Sequence, residues 1–179
     1  MFDKFREGRV ARWFKGRSMW LLHFCTGCGA IELPPSMTSR YDLERFGIIP
    51  MASPRQADIL LITGYLSVKT LKRVITTYEQ MLDPKYVIGF GSCTLNGGMY
   101  WDSYATINRL DYYLPVDIYI SGCMPAPDAI FTALLELRKK IEKGEANGYK
   151  LYKIHYEKYK ANQDKVFKNR GIIKGEDES

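Results

Sequence analysis

From Asp58 to Ser92 the chain reads DILLITGYLSVKTLKRVITTYEQMLDPKYVIGFGS, and this stretch restricts the fold more than any other. Two short apolar runs, starting at Asp58 and Lys85, are continuous rather than alternating, as strands buried on both faces of a parallel sheet are. Between them Leu71, Val74, Ile75, Tyr78, Met81 and Leu82 recur at helical spacing. Ser67 is placed to cap the helix start, and Asp83-Pro84 closes it. Strand, helix, strand in this order is a βαβ unit, with parallel strands and a right-handed crossover.

The pattern continues on either side. "MWLLHF" at 19–24 and "VDIYISG" from Val116 read as two more strands. "PAPDAIFTALLELRKKIEKG" reads as a closing helix opened by Pro127 and Asp128, with Ile130, Leu134, Leu137 and Ile141 on its apolar face and Gly144 at its end. The expectation is an open α/β sandwich over residues 19–144, between a basic amphipathic segment at 1–18 and a C-terminal arm at 145–179. In the N-terminal segment Lys4, Arg6, Arg9, Arg12, Lys15 and Arg17 face only Asp3 and Glu7, interleaved with Phe2, Phe5, Val10, Trp13 and Phe14. That mixture suits a membrane surface or a partner, the plain alternative being a solvated terminus. The Lys- and Tyr-rich arm is expected either to pack on something else or to stay disordered.

With 179 residues, 46% of them hydrophobic, the chain can bury one real core. No apolar run approaches the roughly 20 residues of a membrane-spanning helix, and the first residues lack the apolar core of a signal peptide. A soluble or peripheral intracellular protein is expected. Its net charge of +6 is unaccompanied by any recognition motif, so nucleic acid is not an expected partner.

The four cysteines carry the chemistry. Cys25 and Cys28 follow the first strand run in a C-x-x-C pair, Cys93 follows "YVIGFGS", and Cys123 follows "VDIYISG". Each falls just past the carboxyl end of an expected parallel strand, the edge where open α/β sheets place ligands, so the thiols should converge. Zinc sites usually pair two close knuckles, and His23 and His155 supply no second pair. One close pair plus two single distant thiols suits a 4Fe-4S cluster, with Gly27, Gly91 and Gly122 allowing close backbone approach. Pro125 and Pro127 would stiffen the turn around the last thiol. Small buried thiols, or a zinc-stabilised α/β interaction module without redox role, are the alternatives. A flavin mononucleotide protein fits less well, because "CTGCG" stands where a Ser/Thr-rich phosphate loop would be.

"TSRYDLERFGI", "SPRQADILLITG", "YVIGFGSCTLNGG" and "PVDIYISGCMPAP" together resemble the small cluster-bearing subunit shared by respiratory complex I (its PSST-type subunit) and membrane-bound nickel-iron hydrogenases. The resemblance covers about residues 19–137. It implies a flavodoxin-like fold with helices on both faces of the sheet, and one 4Fe-4S cluster on Cys25, Cys28, Cys93 and Cys123. It also implies a large-subunit partner, a polyferredoxin-like subunit fed indirectly by ferredoxin, and integral membrane subunits. The chain would then be peripheral, on the cytoplasmic side of the cell membrane. By the same resemblance Arg40, Asp42, Glu44, Arg45 and Arg55 are interface candidates, and Glu32 is a backbone hydrogen-bonding residue or proton relay. Cys25-Thr-Gly-Cys28 has hydrogenase spacing, but Gly29-Ala30-Ile31 adds one residue before Glu32. That departure is similar to a third branch, the archaeal membrane-bound sulfane sulfur reductases. The implied function is electron transfer within an ion-translocating respiratory complex, with sulfane sulfur as favoured acceptor and hydrogenase or quinone-reducing complexes as alternatives.

Overall fold

The computed structural model describes residues 8–169. Five strands, β1 (Met19–Cys25), β2 (Ile48–Pro50), β3 (Ile59–Thr63), β4 (Tyr86–Phe90) and β5 (Ile118–Ile120), form one sheet in the order β2-β1-β3-β4-β5. Every neighbouring pair is parallel. This is the flavodoxin-like doubly wound order. Described helices are α1 (Arg9–Lys15), α2 (Gly29–Met37), α3 (Val68–Gln80), α4 (Ser92–Asn96), α5 (Pro127–Lys143), α6 (Gly148–Ile154) and α7 (Tyr156–Asn169).

Two cores sandwich the sheet. On one face Leu21, Ile59, Leu61, Ile88 and Phe90 meet Leu33 of α2 and Ile130, Leu134, Leu137 and Ile141 of α5. On the other, Leu60, Ile62 and Val87 meet Leu71, Val74, Ile75 and Tyr78 of α3. All five residues of β3, and of β4, are buried, which is why those runs read as continuously apolar. Ser67 accepts from the Thr70 amide and caps α3 as expected. The helix stops at Gln80, leaving Leu82 exposed rather than on the apolar face. Its end is held by Lys85, whose buried ammonium donates to the carbonyls of Tyr78 and Met81 at 2.9 and 3.2 Å.

Three elements depart from the sequence expectation. Helix α2 forms across Pro34 and Pro35. Gly29, Leu33 and Ser36 are its buried positions, a spacing that burial enforces despite the prolines' weak propensity. Edge strand β2 is only three residues long and carries little pattern. Beyond Gly144 the described arm is helical and packs back on the α3 face, burying Tyr152, Gln163 and Phe167. Aromatic contacts link Tyr152 to Tyr78, Tyr156 and Tyr159, so tyrosine rings supply the apolar stripe that aliphatic periodicity does not show.

The N-terminal segment is described from Gly8 onward, its first seven residues lying outside the described part. Helix α1 packs along α5. Arg17 pairs with Glu142 at 2.8 Å and lies over the Trp13 ring at 4.0 Å. The Arg12 guanidinium donates to the Lys143 carbonyl.

Asp117 ties the arm to the sheet: its carboxylate accepts from the amides of Val87 (2.9 Å) and Gly148 (3.3 Å). Burial raises its pKa, an effect opposed by those two hydrogen bonds and by Lys140. The folded chain therefore disfavours the ionised form, and stability should decline as pH rises above the unfolded value of about 4 through the raised folded pKa. Asp117→Asn should lack that decline. It should still lower stability at neutral pH by about 1–3 kcal/mol, because one amide loses its acceptor to a side-chain NH2. Urea titrations of both chains between pH 4 and 8 test both statements.

Candidate metal centre

The four thiols sit at the carboxyl edge of the sheet. Cys25 is the last residue of β1, Cys28 immediately precedes α2, Cys93 is the second residue of α4 after β4, and Cys123 follows β5. Cys28, Cys93 and Cys123 border a single hollow, together with Gly64, Phe90, Gly91, Gly122 and Pro125. Cys25 is not among the lining residues; it is exposed, and its thiol donates to the Gly27 carbonyl at 3.1 Å. Three of the expected ligands are therefore brought together and the fourth stands three residues from Cys28.

Hydrogen bonds fix the three loops to one another. Thr26, inside the C-x-x-C pair, donates from its amide and hydroxyl to the Thr63 carbonyl, and its hydroxyl also lies 2.6 Å from the Tyr65 carbonyl. Across the hollow, Ser92 donates from amide and hydroxyl to the Gly122 carbonyl at 2.9 and 3.1 Å, joining the Cys93 and Cys123 loops. Gly98 (φ +55°) packs so closely on Cys93 that a Cβ there would lie 2.9 Å from the sulfur. Gly122 (φ +130°) lets the chain turn against Pro125, where a Cβ would lie 3.2 Å from Pro125 Cα.

Burial raises the Cys93 pKa, and Cys123 and Cys28 push it the same way, while the amides of Met99 and of Cys93 itself pull it down. Mutual repulsion of this kind means that several thiolates can coexist here only beside a compensating cation. Among the described residues, no three His, Cys, Asp or Glu side chains are grouped to hold a single metal ion.

The other expected site residues stay apart from this hollow. Glu32 is half-buried in the first turn of α2. Asp42 adopts φ +47° and accepts from the Arg45 amide, capping the 3-10 turn Leu43–Phe46. Arg45 lies over the Phe46 ring at 4.9 Å and Arg40 over Tyr41 at 5.5 Å. Arg40, Glu44, Arg45 and Arg55 are exposed and form no ion pair among the described residues. None of the five interface candidates lines the hollow.

Sequence reasoning missed Thr63 and the loop after Cys93. Thr63, 1% exposed, meets the His23 imidazole at 2.8 Å and supports Gly29 and Thr26. Burial lowers the His23 pKa, which favours the neutral ring there. In the loop, Leu95, Met99, Trp101 and Tyr104 are exposed, Tyr104 to 90%, and Tyr100 packs on Tyr65. The density of large apolar residues in "LNGGMYWDSY" signals this surface, although its glycines make the segment read as a plain turn.

The family model described as NADH ubiquinone oxidoreductase, 20 Kd subunit, matches residues 25–137, a span that begins at Cys25 and takes in all four thiols. The chain belongs to that family. Among its relatives, NAD(P)H-quinone oxidoreductase subunit K 1 of Gloeobacter violaceus is 48% identical over 130 residues, covering 72% of this chain and 56% of the relative. The chloroplastic subunit K of Agrostis stolonifera is 44% identical over 135 residues, covering 75% and 60%. The chain thus spans well under two thirds of these curated relatives. A solved structure titled as the membrane-bound sulfane sulfur reductase, an archaeal respiratory membrane complex, contains a chain 53% identical with a TM-score of 0.85. That match covers 93% of this chain and 97% of the other, so this 20 kDa-subunit chain has the fold of its relative along nearly its whole length. Within the described residues, no helix is long and apolar enough to cross a membrane.

Proposed function

We propose that this chain is the electron-transfer subunit of a membrane-bound, ion-translocating respiratory oxidoreductase, and that Cys25, Cys28, Cys93 and Cys123 hold one 4Fe-4S cluster. The observation that carries this reading is the meeting of Cys28, Cys93 and Cys123 at one hollow on the carboxyl edge, within a chain of the 20 kDa-subunit family. A cluster bound there would take up and release one electron at a time. The chain's own residues hold the three loops in register through Thr26 and Ser92, and shield one thiol by burial.

Electrons would arrive from ferredoxin through a polyferredoxin-like subunit and leave to a large-subunit active site, on the cytoplasmic side of the membrane. Sulfane sulfur is the favoured acceptor, since the match to the sulfane sulfur reductase chain extends over nearly the full length of both chains. Glu32, Arg40, Asp42, Glu44, Arg45 and Arg55 are assigned to packing and to the large-subunit interface rather than to ligation.

Anaerobic reconstitution with iron and sulfide, followed by metal analysis and low-temperature paramagnetic resonance of the reduced protein, tests the cluster. Four irons per chain are expected under this proposal; a colourless protein with stoichiometric zinc would sink it. Because ligation requires thiolates and the Cys93 pKa is raised, cluster incorporation should fall as pH is lowered from 9 towards 6 and recover on return. The acceptor is tested by sulfane sulfur, proton and quinone reduction assays on the purified complex.

A further inference from the structure

The four thiols do not stand alike towards the hollow. Cys28, Cys93 and Cys123 border it, and Cys25 does not. Cys25 is the last residue of β1 and lies in register with Thr63 of β3, so the sheet itself holds its backbone. The two residues that follow are pinned as well. The Thr26 amide and hydroxyl donate to the Thr63 carbonyl at 3.0 and 2.8 Å, and Gly27 lies so close to Gly64 that a Cβ on Gly64 would stand 2.6 Å from the Gly27 nitrogen. Only the Cys25 side chain is left to move. It is exposed, and its Sγ donates to the Gly27 carbonyl at 3.1 Å. A thiol is a weak donor, so turning this side chain from one staggered rotamer to another gives up little. Gly64, the residue after its register partner, already lines the hollow.

The packing of α2 explains why the fourth thiol stands at this distance. Position 29, beside Cys28, is closed to any side chain, because a Cβ there would lie 2.1 Å from Thr63 Cβ and 2.5 Å from Oγ1. A second thiol therefore cannot follow Cys28 directly at the start of the helix. The pair has to reach back across Thr26 and Gly27 to the end of β1, which gives the C-x-x-C spacing and the glycine after it. Thr63 thus sets both the place of Cys28 and the separation of Cys25.

Resting on the four-thiol cluster proposed above, we infer that Cys25 is its peripheral ligand: Cys28, Cys93 and Cys123 hold three irons, and Cys25 swings in to take the fourth iron last and gives it up first. Each thiolate of such a cluster binds one iron, so the ligand that alone stands outside the hollow marks the exchangeable iron. A one-electron oxidant such as ferricyanide removes one electron from the [4Fe-4S]2+ group and is itself reduced to ferrocyanide. The Cys25–iron bond breaks, Fe2+ leaves, and [3Fe-4S]+ stays on the other three thiolates. The freed Cys25 thiolate takes a proton from water or meets an alkylating reagent.

The reconstituted full-length chain, treated anaerobically with equimolar ferricyanide and then iodoacetamide, should release about one iron per chain. Peptide mass spectrometry should find the alkyl group on Cys25, with Cys28, Cys93 and Cys123 labelled about tenfold less. Cys25→Ala, reconstituted alongside, should keep about three irons and show the paramagnetic signal of an oxidised three-iron cluster, whereas Cys28→Ala and Cys123→Ala should keep less than about one. Metal-free chains that melt within a few degrees of one another separate lost ligation from lost folding. Label spread evenly over the four thiols or centred on another of them, or a Cys25→Ala chain as poor in iron as Cys28→Ala, would overturn the inference. A wild-type chain that takes up no iron would instead overturn the cluster itself, and this inference with it, so the two failures are told apart.

Discussion

Cys93→Ala is expected to abolish cluster incorporation almost completely, read as loss of bound iron and sulfide and of the broad visible absorbance after anaerobic reconstitution. Cys93 is the thiol most embedded in the fold. It is half-buried, Gly98 packs on it, and the neighbouring Ser92 ties its loop to Gly122. Removing the sulfur should cost the metal-free chain little, on the order of 1 kcal/mol, since a small thiol at an edge hollow is lost rather than a core side chain. Metal-free wild type and variant should therefore melt within a few degrees of each other. Only the reconstituted wild type should gain the large added stability of a group that binds the folded state alone. A variant that keeps its full iron content would show that the thiols meet for another reason. If both chains instead bind one zinc per chain, and lose it together, the structural-metal alternative holds.

Much of this arrangement can be read from the residues alone, and the reasons are local. Strands β3 and β4 are buried on both faces, so their apolar runs are unbroken, and the capped amphipathic helix between them admits only a parallel crossover. Once the sheet is parallel, four cysteines just past strand ends must share an edge, and the hollow follows. What could not be read depends on tertiary context. Helix α2 carries two prolines that argue against it, and it forms because Leu33 and Ser36 find a buried face between the sheet and α5. The arm beyond Gly144 hides its packing stripe in tyrosines, whose rings pack while their hydroxyls make the segment look polar. Thr63 gives no signal at all in the sequence. Its importance comes from Gly29, His23 and Thr26 meeting it from β1 and the start of α2, on the neighbouring part of the sheet.

That meeting point is where the smallest substitution should do the most damage to folding. Gly29 is buried at the start of α2, and a Cβ there would lie 2.1 Å from Thr63 Cβ and 2.5 Å from Oγ1. Neither side has room to yield. Thr63 is β-branched, 1% exposed and paired in β3, with its hydroxyl against His23 and its carbonyl taken by Thr26. Gly29→Ala must therefore lift the start of α2 off the sheet and carry Cys28 with it. The expected cost is about 3 kcal/mol, at the upper end for overpacking. For a chain of this length that is a fall of roughly 6–12 °C in the thermal midpoint. Gly27→Ala is the control: its nearest contact would be Gly64 Cα at 3.3 Å, and its backbone is not in the left-handed region, so a shift of a few tenths of an ångström absorbs it. Thr63→Gly removes the atoms that the added methyl group would strike. The double variant should thus be more stable than the sum of the single losses predicts, with a coupling of about 1–3 kcal/mol measured by urea titration. Additive losses would mean that the damage at Gly29 comes from backbone freedom and not from the contact with Thr63, and the close approach of α2 to β3 would then have no part in placing Cys28.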